Sequence, residues 1–165
     1  MNGLILAKIE EADECARLLE SGRQFQLSQG FVQWTEEYPT IKDVKADIAE
    51  STGYVYKVDG EIAAYMCIKD DEPVYNQLND VWGNKGPYIV IHRMGLSDKF
   101  RGRGLSAEIF DALAVFGKNK GMTSIRIDTH GDNKRMQHVL VKCGFTFRGN
   151  VIYEFGARLA YDRLI

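Results

Sequence analysis

The sequence has few cysteines, no long apolar run and no excess of positive charge, and each absence excludes a class of protein. Its three cysteines, Cys15, Cys67 and Cys143, are odd in number and scattered, which indicates a reducing compartment rather than a disulfide framework or a metal site. No stretch approaches the roughly 18 consecutive apolar residues that span a membrane. The N-terminus lacks a signal-peptide pattern, because its apolar run is short and acidic residues follow early. We therefore expect a cytoplasmic protein.

Net charge and chain length further limit the class of protein and the number of domains. The net charge of −2 and the pI near 5.9 argue against a general nucleic-acid-binding protein, which carries a basic excess. The 165 residues are 45% apolar and 27% charged, as in ordinary globular proteins, and contain no repeat or linker. We therefore expect a single domain over residues 1–165.

Apolar periodicity predicts an alternation of strands and helices along the chain. A D-G turn at Asp59-Gly60 predicts a hairpin, and the last two strands predict another. The order predicts a mixed α/β fold with a partly antiparallel sheet and one parallel strand–helix–strand unit. The predicted strands are 4–9, 53–58, 61–69, 88–96, 124–129, 145–153 and 157–164, and the predicted helices are 10–28, 40–48, 106–118 and one capped by Asp132 or Asn133 that ends at Gly144.

A glycine turn stands between the fourth predicted strand and the helix that follows it. The turn reads Arg101-Gly102-Arg103-Gly104-Leu105-Ser106 and matches neither a Walker A loop nor G-x-G-x-x-G. Unpaired amides and the helix dipole at such a position suit a phosphate. Lys99 and the two arginines would also repel one another without an anion. The turn predicts a phosphate-bearing cofactor, and a plain tight turn is the alternative.

A second segment accompanies this turn, and together they resemble the GNAT family of N-acetyltransferases. Residues 92–106 resemble the family's acetyl-CoA-binding segment. Asn133, Met136, Lys142, Gly144 and Phe145 match its N-x-x-[A/M]-x-x-x-x-x-K-x-G-F pattern. The resemblance implies a central mixed, mostly antiparallel sheet with a splayed parallel pair, flanked by helices. It also implies transfer of an acetyl group from acetyl-CoA to a primary amine by direct attack in a ternary complex.

The resemblance also implies which residues bind coenzyme A. Backbone groups at the end of the fourth strand would bind the pantetheine arm, and the glycine turn would bind the pyrophosphate. Two positions depart from the family pattern: Ser106 stands where Gly or Ala is usual, and Leu140 stands where many members carry a tyrosine acid. The implied cofactor residues are Met94, Gly95, Leu96, Arg101, Gly102, Arg103, Gly104, Leu105, Ser106 and Asn133.

Three residues are candidates for the base that takes a proton from the amine. His92 lies on the fourth strand, and its ordinary pKa suits proton transfer near neutral pH. Asp128 and His130 end the next strand. A hydrogen-bonded core histidine at 92, and loop or capping roles at 128 and 130, are the alternatives. No metal-ligand pattern accompanies them.

The segment from Gln33 to Pro39 lies where the acceptor loop of this fold would fall. Trp34, Glu37 and Tyr38 are the candidate pocket residues, although the aromatics could instead pack a helix pair onto the sheet. Acidic residues at 36–37 and 70–72 form either a lip for a cationic amine or a solvated face.

The expected partner is therefore a small-molecule or peptide amine, without nucleic acid or membrane. Pairing of two copies through the final strands is common in similar folds. A non-catalytic acyl-CoA-binding module of the same fold is the alternative function, and the leucine at 140 favours it slightly. A nucleotide-phosphate hydrolase is disfavoured because no Walker loop or metal-carboxylate cluster is present.

Overall fold

The computed structural model describes residues 2–165, and within them the strands and helices follow the predicted order closely. The strands are β1 (Gly3–Leu6), β2 (Gly53–Val58), β3 (Glu61–Lys69), β4 (Tyr88–Leu96), β5 (Ser124–Thr129), β6 (Thr146–Tyr153) and β7 (Gly156–Leu164). The helices are α1 (Ala12–Ser28), α2 (Ile41–Ala49), α3 (Leu105–Asn119) and α4 (Lys134–Lys142).

The described residues form a seven-stranded sheet in the order β1-β2-β3-β4-β5-β7-β6. The pairs β1–β2, β2–β3, β5–β7 and β6–β7 are antiparallel, whereas β4 and β5 are parallel. The parallel register joins Tyr88–Val90 to Ser124–Arg126. The predicted mixed, mostly antiparallel sheet with flanking helices and a hairpin towards each end is therefore confirmed.

Two compact units divide the chain, and each is built from two segments. The first comprises the residues up to Ile68 together with His92–Leu105, and the second comprises Lys69–Ile91 with Ser106–Ile165. The first unit buries one side of α1 and α2 against β2 and β3. Its core contains Ala7, Ala12, Cys15, Leu18, Leu19, Trp34, Val44, Val55, Ile62 and Tyr65.

The second unit contains an apolar cluster that the sequence pattern did not predict. Residues 70–85 read as a polar connection, yet they include a short 3-10 helix at Pro73–Leu78. Tyr75 and Trp82 are buried there with Val90, Val151 and Ala160. The Trp82 indole also donates to the Tyr75 carbonyl oxygen over 2.9 Å, which ties the connection together. Two aromatic side chains therefore turn a polar segment into part of the core.

A side chain of the same 3-10 helix covers part of the outer edge of β6. The Gln77 amide nitrogen donates to the Ile152 carbonyl oxygen over 2.9 Å. The Gln77 amide oxygen accepts from the Ile152 backbone N–H over 2.8 Å. One carboxamide therefore satisfies both backbone groups of Ile152, as a neighbouring strand would.

The predicted end of the first strand differs from the structure, whereas the boundary between the first two helices agrees. β1 ends at Leu6 instead of residue 9, because Ile9–Glu11 form a 3-10 turn in which the Lys8 N–H donates to the Glu11 carboxylate over 3.0 Å. The predicted end of α1 at Ser28 is confirmed, and Gly30 follows with a φ of +87°. Thr40 caps α2, as predicted.

Candidate functional site

The second half of β4 carries an interruption that the sequence does not reveal. Arg93 has a φ of +49°, in the left-handed region that non-glycine residues rarely adopt. His92 and Met94 on either side of it are half-buried. Gly95 is buried, and a Cβ atom there would lie 3.1 Å from Leu19 Cδ2 on α1. The regular alternation expected along this strand is therefore broken at Arg93, and α1 packs closely on Gly95.

The glycine turn after β4 has the backbone conformation that its sequence predicts. Gly102 and Gly104 have φ values of +80° and +73°, which glycine adopts without steric cost. Both are exposed, and a Cβ atom at either would meet no atom within 4 Å. α3 begins directly afterwards and spans 15 residues, so its first amides lack helical acceptors and its dipole favours an anion. This donor set fits a phosphate group.

Two of the three cations around the glycine turn have acidic partners within the protein, contrary to the expectation from the sequence. Lys99, Arg101 and Arg103 were expected to need an external anion. Lys99 instead pairs with Glu61, with nitrogen–oxygen distances of 2.6 and 2.8 Å.

Arg101 is likewise held within the turn. It pairs with Asp98, donates to the Leu96 carbonyl oxygen over 3.0 Å and lies 4.4 Å from the centre of the Phe25 ring. Arg103 lies 5.7 Å from the centre of the Phe100 ring, and no carboxylate within residues 2–165 pairs with it. The fold therefore neutralises two of the three cations and leaves Arg103 to add positive charge at the start of α3.

Asp128, on β5 in the second unit, accepts two tyrosine hydroxyls on one carboxylate oxygen. The Tyr75 and Tyr153 hydroxyls donate to Oδ2 over 2.7 and 2.6 Å. Burial raises the pKa of Asp128, and the two hydrogen bonds act in the opposite direction. Burial and the nearby carboxylate also raise the pKa values of both tyrosines, which therefore remain neutral donors. Asp128 is thus a carboxylate with an increased affinity for a proton.

The turn after β5 holds its polar side chains in local hydrogen bonds. His130 Nδ1 accepts from the Asp132 N–H over 2.9 Å. The Asn133 side chain accepts from the Met136 N–H over 3.0 Å, which confirms the predicted cap of α4. Leu140 is fully buried on α4 and carries no group that exchanges a proton. The role of Asn133 beside a cofactor stays a prediction.

The candidate acceptor residues occupy three different environments in the first unit. Trp34 is buried in the core, and its backbone N–H donates to Gln26 Oε1 over 3.1 Å. Glu37 is exposed. Tyr38 is 44% exposed, and its hydroxyl accepts from Arg93 Nη1 over 3.0 Å. Packing is thus the visible role of Trp34, whereas Glu37 and Tyr38 remain accessible to a ligand.

The acidic residues considered for a lip mostly serve local contacts. In the second unit, Asp71 accepts from the Tyr88 hydroxyl over 3.1 Å, and the Glu72 carboxylate accepts from the Val74 N–H over 3.2 Å. In the first unit, Glu36 is exposed. Within residues 2–165 no group of three or more His, Cys, Asp or Glu side chains is arranged to hold a metal ion. The same residues contain no helix with the length and apolarity to cross a bilayer.

Sequence reasoning missed the acidic partner of Arg93. Asp47 is buried on α2, where it forms two hydrogen bonds with the guanidinium, of 2.6 Å from Nη2 and 3.0 Å from Nε. The Tyr65 hydroxyl donates to the same carboxylate over 2.5 Å. Asp47 follows Val44 by three residues on the buried face of α2. A carboxylate at an apolar helical position is the signal that could have revealed it.

Comparison with known proteins identifies the class to which this fold and glycine turn belong. The sequence model of the Acetyltransferase (GNAT) family matches residues 19–145, which is most of the chain. The chain therefore belongs to the GNAT family of acetyltransferases. The resemblance drawn from the glycine turn and the second motif is confirmed.

Individual relatives agree with this assignment. An uncharacterized N-acetyltransferase of Bacillus subtilis (strain 168), YesJ, is 25% identical over 147 residues, or 87% of this chain and 81% of that protein. A GNAT acetyltransferase from Streptococcus agalactiae 2603 is 32% identical, with a TM-score of 0.88, over 99% of this chain and 95% of that one. AAC(6')-Ib in complex with ribostamycin and coenzyme A shares the fold, with 21% identity and a TM-score of 0.72 over 99% of this chain and 93% of that one.

Proposed function

We propose that this chain is an acetyl-CoA-dependent N-acetyltransferase that acts, as one domain over residues 1–165, on a primary amine of a small molecule or peptide. The observation that carries the proposal is the pair of left-handed, exposed glycines at the start of α3 in a member of the GNAT family. A cytoplasmic location belongs to the same proposal and is supported by the few, scattered cysteines.

The cofactor-binding residues are proposed from the glycine turn and the end of β4. Backbone amides of residues 101–106 would hold the pyrophosphate, because two glycines leave them uncovered and the helix dipole favours negative charge. Arg103 would add a cation there. Backbone groups of Met94, Gly95 and Leu96 would bind the pantetheine arm as an added strand does. Asn133 would lie beside the thiol-bearing end.

Acetyl-CoA, when bound, supplies the acetyl group as a thioester that a neutral amine can attack. The protein must therefore remove a proton from the acceptor ammonium. Among His92, Asp128 and His130, we favour Asp128 as this base. Burial raises its pKa above its ordinary value, and the Tyr75 and Tyr153 hydroxyls hold its carboxylate in one orientation.

The other two candidates are less well suited to the role. His130 already uses Nδ1 to accept from the backbone of its own turn. His92 is half-buried on β4, and we keep it as the second candidate. Leu140 supplies no acid, so we propose that water protonates the leaving sulfur, which a fairly stable thiolate permits.

The acceptor is proposed to be a cationic amine. AAC(6')-Ib, whose fold this chain shares, has been crystallised with ribostamycin and with kanamycin. Glu37 and Tyr38 are accessible and are proposed to contact the acceptor, with the buried Trp34 supporting them from the core.

A thiol-release assay tests this function. The purified protein is mixed with acetyl-CoA and a panel of polyamines, aminoglycosides, amino acids and peptides, and free coenzyme A is measured. We expect amine-dependent release with at least one class of acceptor. Calorimetric binding of acetyl-CoA without release across the panel would instead favour the non-catalytic acyl-CoA-binding module. Absence of both binding and release would refute both.

A further inference from the structure

We propose that Arg93 is a positioning residue whose ion pair with Asp47 holds the left-handed backbone of β4 and thereby aims the Met94–Leu96 amides at the cofactor. This inference rests on the proposed function, because it assigns the cofactor's pantetheine arm to those amides. It adds two residues, Asp47 and Arg93, to which the resemblance to the family assigns no role.

The backbone at Arg93 needs external support. At a φ of +49° the Cβ atom of an L-residue is crowded against its own backbone, so an isolated strand would relax to the extended region. Such outliers persist only where surrounding contacts determine them, and they concentrate at functional sites. Relaxation at this residue would redirect every N–H and C=O group that follows it in β4.

The guanidinium of Arg93 is fixed through all three of its nitrogens. Nη2 and Nε bind the two oxygens of Asp47 over 2.6 and 3.0 Å, and Nη1 donates to the Tyr38 hydroxyl over 3.0 Å. Tyr65 on β3 donates to Asp47 as well, over 2.5 Å. A planar guanidinium held in this way cannot rotate, whereas a lysine would make a single point contact.

The charge of the Arg93 guanidinium also indicates that the ion pair with Asp47 holds this part of β4. Burial alone would lower the pKa of Arg93, but the hydrogen bonds with Asp47 and Tyr38 raise it above its ordinary value. Asp47 is buried and the Arg93 side chain is 13% exposed, so removing either partner of this ion pair leaves the other without its partner away from solvent. Gly95 lies only two residues further along β4, packed against Leu19 of α1, so the strand has little freedom to absorb a change at Arg93.

The test compares this ion pair with a second one in the same unit. Lys57 and Glu11 form a pair of 2.6 Å, and neither residue lies on β4 or the glycine turn. Four variants are prepared: Asp47→Asn, Arg93→Lys, the double variant Asp47→Asn/Arg93→Gln, and Lys57→Gln as the control. Acetyl-CoA affinity is measured by calorimetry, and amide hydrogen exchange of residues 94–96 is measured in the ligand-free protein.

We expect the three variants of the Arg93–Asp47 pair to bind acetyl-CoA about tenfold more weakly, which corresponds to one misdirected hydrogen bond. Exchange at residues 94–96 is expected to accelerate in the same variants. The Lys57→Gln variant should keep the wild-type acetyl-CoA affinity and exchange rate, even if its melting temperature falls as much as that of the Arg93–Asp47 variants. If Asp47→Asn does not fold, Arg93→Lys and the charge-free double variant give the result.

The outcomes separate the two proposals. Wild-type protein that fails to bind acetyl-CoA refutes the proposed function and this inference with it. Wild-type protein that binds, together with pair variants that bind equally well and exchange at the wild-type rate, overturns the inference alone. Equal weakening in Lys57→Gln overturns it too, because the effect would then follow general stability.

Discussion

At the scale of single residues, the carboxylate of Asp128 determines the expected pH dependence of the reaction. A base must be ionised, and burial raises the pKa of Asp128 above its ordinary value of 3.8. Activity should therefore fall as the pH drops through that raised pKa. Asp128→Asn should lower kcat by roughly 100- to 10,000-fold and remove this acidic limb. The pH–rate profiles of the wild type and the variant check this expectation. If the fall at acidic pH survives in Asp128→Asn but disappears in His92→Ala, then His92 is the base instead.

The same carboxyl group predicts a change in stability with a defined sign. A raised pKa in the folded state means that the folded protein binds the proton more tightly than the unfolded chain does. The stabilisation is complete below the unfolded pKa near 3.8 and is lost as the pH rises through the folded value. Asp128→Asn removes this dependence. Its stability relative to the wild type should therefore increase over that pH window in urea titrations.

Gly104 offers a test of the glycine turn in which the fold is preserved. A valine there must accept a φ of +73°, at a cost of about 1–2 kcal/mol, but its side chain enters open space, where we propose that the pyrophosphate binds. We expect Gly104→Val to fold and to lose acetyl-CoA binding in calorimetry. Gly30→Val is the matched control, since Gly30 has a φ of +87° and equally open surroundings. Tight binding by Gly104→Val would contradict the placement of the pyrophosphate.

Single residues also mark how far the sequence could predict the site. Gly102 and Gly104 were predictable, because only glycine adopts their backbone angles cheaply. The ion pair between Asp47 and Arg93 was not, since the two residues are far apart in sequence and become partners only when α2 packs in the first unit. The partners of Lys99 and Arg101 were missed because a count of charges does not reveal their pairing.

At the scale of elements, the N-terminal cap stabilises α2, the helix that carries Asp47. The Thr40 hydroxyl accepts from the Lys42 N–H over 3.3 Å, and the Asp43 carboxylate accepts from the Thr40 N–H over 2.7 Å. Thr40→Ala should cost about 1 kcal/mol and lower the melting temperature by roughly 2–4 °C. Thr40→Ser should restore most of the loss in thermal unfolding. An unchanged melting temperature in Thr40→Ala would show that the cap contributes nothing.

Most elements were predictable because each has one strong local signal. The Asp59-Gly60 turn marked the first hairpin, and glycines marked the ends of α3 and α4. The 3-10 helix at Pro73–Leu78 was missed because it contains one aromatic residue, Tyr75, which polar residues separate from Trp82, so that no apolar period is visible. Its burial depends on partners in β4, β6 and β7 that no local pattern contains.

At the scale of the whole molecule, ligand binding should appear as thermal stabilisation. A ligand that binds only the folded state adds about 2.7 kcal/mol at a concentration 100 times its Kd. For a chain of 165 residues this corresponds to a rise of roughly 5–10 °C in melting temperature. We expect this rise with acetyl-CoA in the wild type and in Gly30→Val, and its absence in Gly104→Val. A wild type without any rise at saturating acetyl-CoA would contradict the proposed function.

The Gln77 carboxamide, which is hydrogen-bonded to the edge strand β6, affects how copies of this protein can associate. Because it occupies both backbone groups of Ile152, a second molecule cannot continue the sheet at this point without displacing it. Gln77→Ala would open this position on a strand that also exposes the side chains of Phe147 and Ile152. We expect sedimentation velocity to show greater self-association of Gln77→Ala than of wild type, whereas identical profiles would contradict this role. We therefore expect this one amide to oppose polymerisation through the rim of the sheet.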